Sequence, residues 1–189
     1  AHDAAHIRPM TAADLALYAG AARHLPALMI TLAPASVTPE QVAALVSAGV
    51  IVSLGHAEAT CAEVQSLIAA GASCATHLFN AMSQLQGREP GMVGAVLSSG
   101  IAAGLIVDGQ HVAWDTLKVA CAARPEGLYL VSDCMAVAGS TQDAFTLRGR
   151  RILRRAGRLT LADGVVQSHG VLVHASLDIA DAQRKPKIH

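Results

Sequence analysis

Short apolar runs alternate with amphipathic helical segments along most of the chain, and nearly every run ends in a residue able to do chemistry. Pro34 follows the run 27–32, His56 follows Val50–Leu54, and His77 lies at the end of 73–78. Asp108 and His111 follow 100–107, and Asp133 follows 128–132. Strands alternating with helices at this spacing imply parallel βαβ units. An open doubly wound sheet gathers only the loops flanking its switch point, whereas a barrel brings every strand's carboxyl end to one rim. The expected fold is therefore α/β, a partial (β/α) TIM-type barrel of the metal-dependent hydrolase kind. Five strands fall short of eight, so the chain reads as the later part of such a barrel. Its start, AHDAAHIRPM, lacks an initiator methionine and reads as the beginning of a fragment.

The helices are marked by their ends. Thr11 and Thr38 are N-cap residues, Pro39 follows its cap, and Gly49 and Gly71 stop the second and third helices. Spacing predicts helices over 11–23, 38–47, 60–70 and 112–123. The run 27–32 is apolar throughout and reads as a buried strand. From Phe145 the texture changes to period-two alternation with turns at Gly149, Ala156-Gly157 and Asp163-Gly164, the pattern of short antiparallel strands. The predicted division is a catalytic barrel domain over 1–144, a β-strand segment over 145–175, and a helix start with a disordered tail over 176–189.

Composition narrows the partners. Lys plus Arg equals Asp plus Glu at 14 each, so net charge gives no reason to expect a nucleic-acid or membrane-surface partner. No apolar run reaches the roughly 18–20 residues that span a bilayer. Cys61, Cys74, Cys121 and Cys134 form no C-x-x-C pair and no secretory leader precedes them, so a reducing cytoplasmic setting is expected. A small ligand is the better fit.

The centre of the chemistry is the stretch 53–82, SLGHAEATCAEVQSLIAAGASCATHLFNAM. A single buried histidine is usually a structural hydrogen-bonder. Two on consecutive strand ends, preceded by small residues (Gly55, Thr76) that let a ligand approach, favour a metal site, and imidazole suits a divalent zinc or iron ion. A third ligand is not evident nearby. Asp133 either caps the next segment or, beside a metal, moves a proton between water and leaving group. His111 is a donor to a substrate carbonyl or hydroxyl, or an ordinary loop histidine. Arg88, in the turn GREPG, suits phosphate or carboxylate, or pairs with Glu89.

Taken together, GHAEAT at 55–60, ATHLFNAMS at 75–83, GREPG at 87–91, VDGQH at 107–111 and VSDCMAVAGS at 131–140 resemble the N-acetylglucosamine-6-phosphate deacetylases of the amidohydrolase superfamily. The resemblance covers roughly residues 1–165. It implies hydrolysis of the acetamide of N-acetylglucosamine 6-phosphate, with a phosphorylated amino sugar as partner and a homodimer as the family form. It implies metal ligation by His56 and His77, catalysis by Asp133, substrate contacts from His2, Asn80, Ala81 and His111, and phosphate binding by Arg88 across a dimer interface.

Some positions depart from the family pattern. Its glutamate ligand and early His-x-His segment fall upstream of residue 1. Ala35 stands where a glutamate is usual and Cys134 where an alanine is usual. The Leu-x-Gly-Ser loop is replaced by 165–168 or 171–176. A lysine-bridged binuclear centre is not encoded, because the lysines are Lys118, on a helix, and Lys185 and Lys187, in the tail. The alternatives are a different mononuclear amidohydrolase and an inactive remnant of a deacetylase.

Overall fold

Parallel pairing organises the first part of the structure, a computed structural model that describes residues 6–135, 137–147, 149–155 and 158–161. The elements run α1 (Ala12–Ala22), β1 (Leu28–Leu32), α2 (Pro39–Ser47), β2 (Val50–Leu54), α3 (Cys61–Ala69), β3 (Cys74–Ala75), α4 (Gly91–Ser98), β4 (Ala102–Ile106), α5 (Trp114–Ala123) and β5 (Leu128–Val131). A short 3₁₀ turn, Pro34–Ser36, follows β1. Strands β1 to β5 lie in one sheet in sequence order, and β6 (Ala144–Leu147), β7 (Arg150–Arg155) and β8 (Arg158–Leu161) form a separate antiparallel sheet. The protein is thus α/β with a parallel and an antiparallel sheet. The chain divides into two units, one of residues 1–105 with 118–129 and one of 106–117 with 130–189.

Within the first unit, three helices start by the same device. Thr11, Thr38 and Thr60 each accept the N–H three residues on, while Asp14, Gln41 and Glu63 return a bond to the cap's own N–H. The core is built from the inner faces of α2, α3 and α4 and from β2. Val42, Leu45, Val52, Leu54, Val64, Met92 and Val96 are all fully buried, each side chain stabilising the fold by roughly 1.5–3 kcal/mol. Register pairs Leu32 with Leu54 and Leu54 with Ala75, so the carboxyl ends of β1, β2 and β3 finish level.

Three local expectations change. The run 27–32 is not a buried strand: among the described residues β1 pairs only with β2, alternates in burial and leaves Met29 about half exposed. The strand expected over 73–78 is extended only at Cys74–Ala75, because His77 turns the backbone to φ +33 and ends the extended conformation. Helix α4 is not anticipated by the sequence pattern. Glycines at 91 and 94 break its periodicity, yet it is buried from Gly91 to Val96.

Gly91 explains the first of those glycines. Its φ is +61, and a Cβ would lie 2.8 Å from the Gln84 carbonyl oxygen and 2.9 Å from that of Ser83. Both obstacles are backbone, so neither can swing aside. Gly91→Ala is expected to cost about 2–4 kcal/mol, from left-handed strain plus overpacking. Gly87→Ala, with nothing within 4 Å of its Cβ, is the near-neutral control. The denaturant midpoints of the two variants test this.

In the second unit, β6 to β8 form a meander around Ile152 and Leu159, packed by Met135, Val137 and Phe145. Arg154 donates to the carbonyls of Ser140 and Val137, tying the segment after β5 to β7. The tail 176–189, the segments 165–168 and 171–176, and the turns expected at 156–157 and 163–164 lie outside the described residues. Among the described residues no helix is long and apolar enough to cross a membrane.

Candidate functional site

In each unit the candidate site residues fall where the backbone departs from ordinary geometry. Among the described residues, five that are not glycine take positive φ: His56 (+54), His77 (+33), Phe79 (+77), Ala81 (+50) and Asp133 (+45). Such conformations cost of order 1–3 kcal/mol each and persist only where surrounding structure holds them. Four of the five are residues singled out from the sequence. Phe79 is the one missed, since neither its type nor its spacing distinguishes it.

His56 and His77 leave adjacent strands. The ladder runs on past the strand ends, with the Gly55 N–H donating to Leu32 and the Thr76 N–H to Leu54, so both histidines emerge at the same edge of the sheet. The two Nε2 atoms come to 2.8 Å, with the rings edge to face. Gly55 serves packing rather than ligand approach, since a Cβ there would meet Thr76 Cβ at 3.0 Å and Thr31 Cγ2 at 3.1 Å. Beneath the pair, Thr76 Oγ1 bonds the Thr31 and Ser53 hydroxyls at 2.8 and 2.7 Å, which satisfies the fully buried Ser53.

His77 is 3% exposed, and its Nδ1 is buried without a hydrogen-bond partner among the described residues. Two neutral imidazoles can share one proton between their Nε2 atoms, but His77 Nδ1 is then left as an unmatched donor or acceptor. Both Nε2 atoms face the same point, where imidazole can ligate a divalent ion. Nitrogens about 2.0–2.1 Å from a tetrahedral zinc ion lie about 3.3–3.4 Å apart. The two rings, with their Nε2 atoms at 2.8 Å, would therefore separate by about half an ångström to take two places in the shell of one such ion. Among the described residues no group of three or more His, Cys, Asp and Glu gathers for a metal.

The loop after β3 is held by its own bonds. Gln84 Nε2 donates to the carbonyls of Phe79 and Met82, and the Asn80 N–H donates to His77. Asn80 is half-buried and Ala81 exposed. Arg88 is exposed and makes no ion pair among the described residues. Its neighbour Glu89 instead accepts the N–H groups of Cys61 and Gly91 at 2.7 and 2.9 Å, capping α3 and its own turn. The Arg88–Glu89 pairing considered from sequence is thus not formed.

In the second unit, VDGQH folds into a tight turn. Gly109 takes φ +69 with the Trp114 ring where a Cβ would sit. Asp108 accepts the N–H groups of Gln110 and His111 on Oδ1, both at 2.8 Å, and faces His111 Nδ1 with Oδ2 at 2.6 Å. Burial pushes the Asp108 carboxyl up, but the bonds from the His111 ring and the two N–H groups outweigh it, and it titrates below its ordinary value. A carboxyl lowered on folding stabilises above its unfolded value of 3.8 and loses that contribution as pH falls through the folded value. Asp108→Asn is therefore expected to be less stable than wild type at about pH 5, with the gap closing towards about pH 3. Paired urea titrations at both values check it. This pairing of Asp108 with His111 was not read from the sequence, although a separation of three residues around a glycine could have suggested it.

Asp133 follows β5 and is half-buried. His2 lies outside the described residues. All four cysteines are free thiols.

No family model matches the chain. An N-acetylgalactosamine-6-phosphate deacetylase from Shewanella sp. (strain ANA-3) is 44% identical over 185 residues, covering 97% of this chain and 45% of that protein. The crystal structure of N-acetylglucosamine-6-phosphate deacetylase from Pasteurella multocida is similar with a TM-score of 0.86 and 33% identity, over 98% of this chain and 49% of that one. A mutant N-acetyl-D-glucosamine-6-phosphate deacetylase from Mycobacterium smegmatis, in complex with N-acetyl-D-glucosamine-6-phosphate, is similar with a TM-score of 0.67 and 27% identity, over 87% of this chain and 57% of that one. The chain spans about half the length of the relatives it matches.

Proposed function

We propose that this chain, which belongs to the N-acetylglucosamine- and N-acetylgalactosamine-6-phosphate deacetylases, carries part of the site that hydrolyses the acetamide of an N-acetylhexosamine 6-phosphate. The observation that carries this reading is the strained backbone at His56, His77 and Ala81 in the first unit, and at Asp133 in the second, since strain of this kind collects at working residues. The parallel sheet is then the later part of a (β/α) barrel. The free thiols accord with a reducing cytoplasm.

His56 and His77 would hold a divalent ion, zinc or iron, which supplies Lewis-acid polarisation of the acetyl carbonyl. Asp133 takes a proton from the attacking water and returns it to the departing amine. The water oxygen joins the acetyl carbon, the C–N bond breaks, and hexosamine 6-phosphate and acetate leave. His111, its Nδ1 held by Asp108, presents Nε2 to the sugar, where Asn80, Ala81 and His2 also make contact. Arg88, exposed and clear of Glu89, serves the phosphate of a substrate bound by a second subunit, which makes a homodimer the working form.

The test is acetate release from N-acetylglucosamine 6-phosphate and N-acetylgalactosamine 6-phosphate by the purified chain, with metal content measured on the same sample. Turnover that tracks bound metal is the expected result. A folded sample with neither metal nor turnover would overturn the reading and leave an inactive remnant.

A further inference from the structure

Ser83 joins three pieces of the first unit through one hydroxyl. Its Oγ donates to the Ala59 carbonyl and accepts the N–H of Ala59 at 3.2 Å and that of Met92 at 2.9 Å. A serine hydroxyl has one proton and two lone pairs, so its capacity is filled. Its own carbonyl accepts the Val93 N–H at 3.1 Å. Beside it, Ala57 and Met82 form an isolated parallel bridge.

The pieces so joined are the loop carrying His56, the loop carrying His77, and the first turn of α4. Helix α4 is anchored in the core by the fully buried Met92, Ala95 and Val96. Neither histidine can hold its own backbone, because both sit at positive φ. What holds them must come from outside the two residues, and Ser83 connects both loops to a rigid helix. Gln84 stitches only the loop after β3, and Glu89 joins the first residues of α3 and α4, Cys61 and Gly91, without bonding the backbone between His56 and Thr60.

We propose that Ser83 is a positioning residue for the His56–His77 pair, fixing the separation of the two Nε2 atoms by clamping their loops to α4. Its consequence for metal affinity rests on the reading of that pair as ligands, whereas its effect on the two rings does not. Ser83→Ala leaves the Ala59 carbonyl and the Ala59 and Met92 N–H groups without their partner. Ser83→Thr keeps the hydroxyl.

Three measurements on the whole chain test this: amide hydrogen exchange at Ala59 and Met92, the imidazole resonances of His56 and His77 in metal-free protein, and Co²⁺ binding followed by visible absorption. In Ser83→Ala both amides are expected to exchange faster and both imidazoles to shift, with Co²⁺ affinity falling about 10- to 100-fold, the usual effect of losing outer-shell support. Ser83→Thr should restore all three. Should Ser83→Ala fail to fold, Ser83→Cys, a weak donor, is expected to give smaller changes of the same sign. Unchanged imidazole resonances in a folded variant lacking the hydroxyl would overturn the inference. A wild-type chain that binds no Co²⁺, with the resonance shifts present in Ser83→Ala, would overturn the metal reading and support the clamp.

Discussion

Asp133→Asn is expected to lower acetate release by roughly 10²- to 10⁴-fold, the range over which a positioned acid–base group contributes, while the chain stays folded. The substitution keeps size and hydrogen-bonding shape and removes the ability to take up a proton. It also suits the backbone. Asp133 sits at φ +45, a region that asparagine enters as readily as aspartate does, so the change adds no strain. A loss of turnover therefore reports on proton transfer. Single-turnover acetate release and a thermal melt on the same preparation separate the two effects. A variant retaining its rate within about tenfold would remove Asp133 from the proposed proton transfer, and an equal loss of rate and folded fraction would mark it as structural.

Where a local rule decides the structure, the sequence could be read closely. The cap at Thr38 with Pro39 in the first turn starts α2 as expected, and Val50–Leu54 is a strand over its whole predicted length. Those features need only neighbours in the chain. Other features depend on residues distant in sequence. The apolar character of 27–32 suggested burial, but burial depends on what pairs with the outer edge of β1. Helix α4 was hidden because Gly91 and Gly94 answer to tertiary neighbours: Gly91 to the carbonyls of Ser83 and Gln84, Gly94 to Pro90 and Leu85.

The candidate site divides along the same line. Two histidines on successive strand ends could be placed at one edge from periodicity, and the 2.8 Å approach of their Nε2 atoms follows from the register of β2 and β3. Positive φ at His77, Phe79 and Ala81 could not be read, because residues that rarely adopt it give no signal. Nor could the reversal of roles in GREPG, where Glu89 turns to Cys61 and Gly91 and leaves Arg88 exposed.

For His77→Asn, stability and metal binding should move in different directions. Asparagine tolerates left-handed backbone better than histidine and removes the buried Nδ1 that has no hydrogen-bond partner among the described residues. An unmatched buried polar atom costs about 1–3 kcal/mol, and relief of that cost offsets the poorer packing of the smaller side chain. The metal-free variant is thus expected to melt within a few degrees of wild type or above it. Its affinity for Zn²⁺ or Co²⁺ should fall more than about 100-fold, since loss of a direct ligand exceeds the 10- to 100-fold effect of losing outer-shell support. A residue kept in a strained, poorly satisfied state for packing would show the opposite pattern, a marked drop in melting temperature with binding unchanged. Isothermal titration and metal-free melts of the two proteins decide between these outcomes. The divergence expected here is the mark of a position that gives up stability for its site.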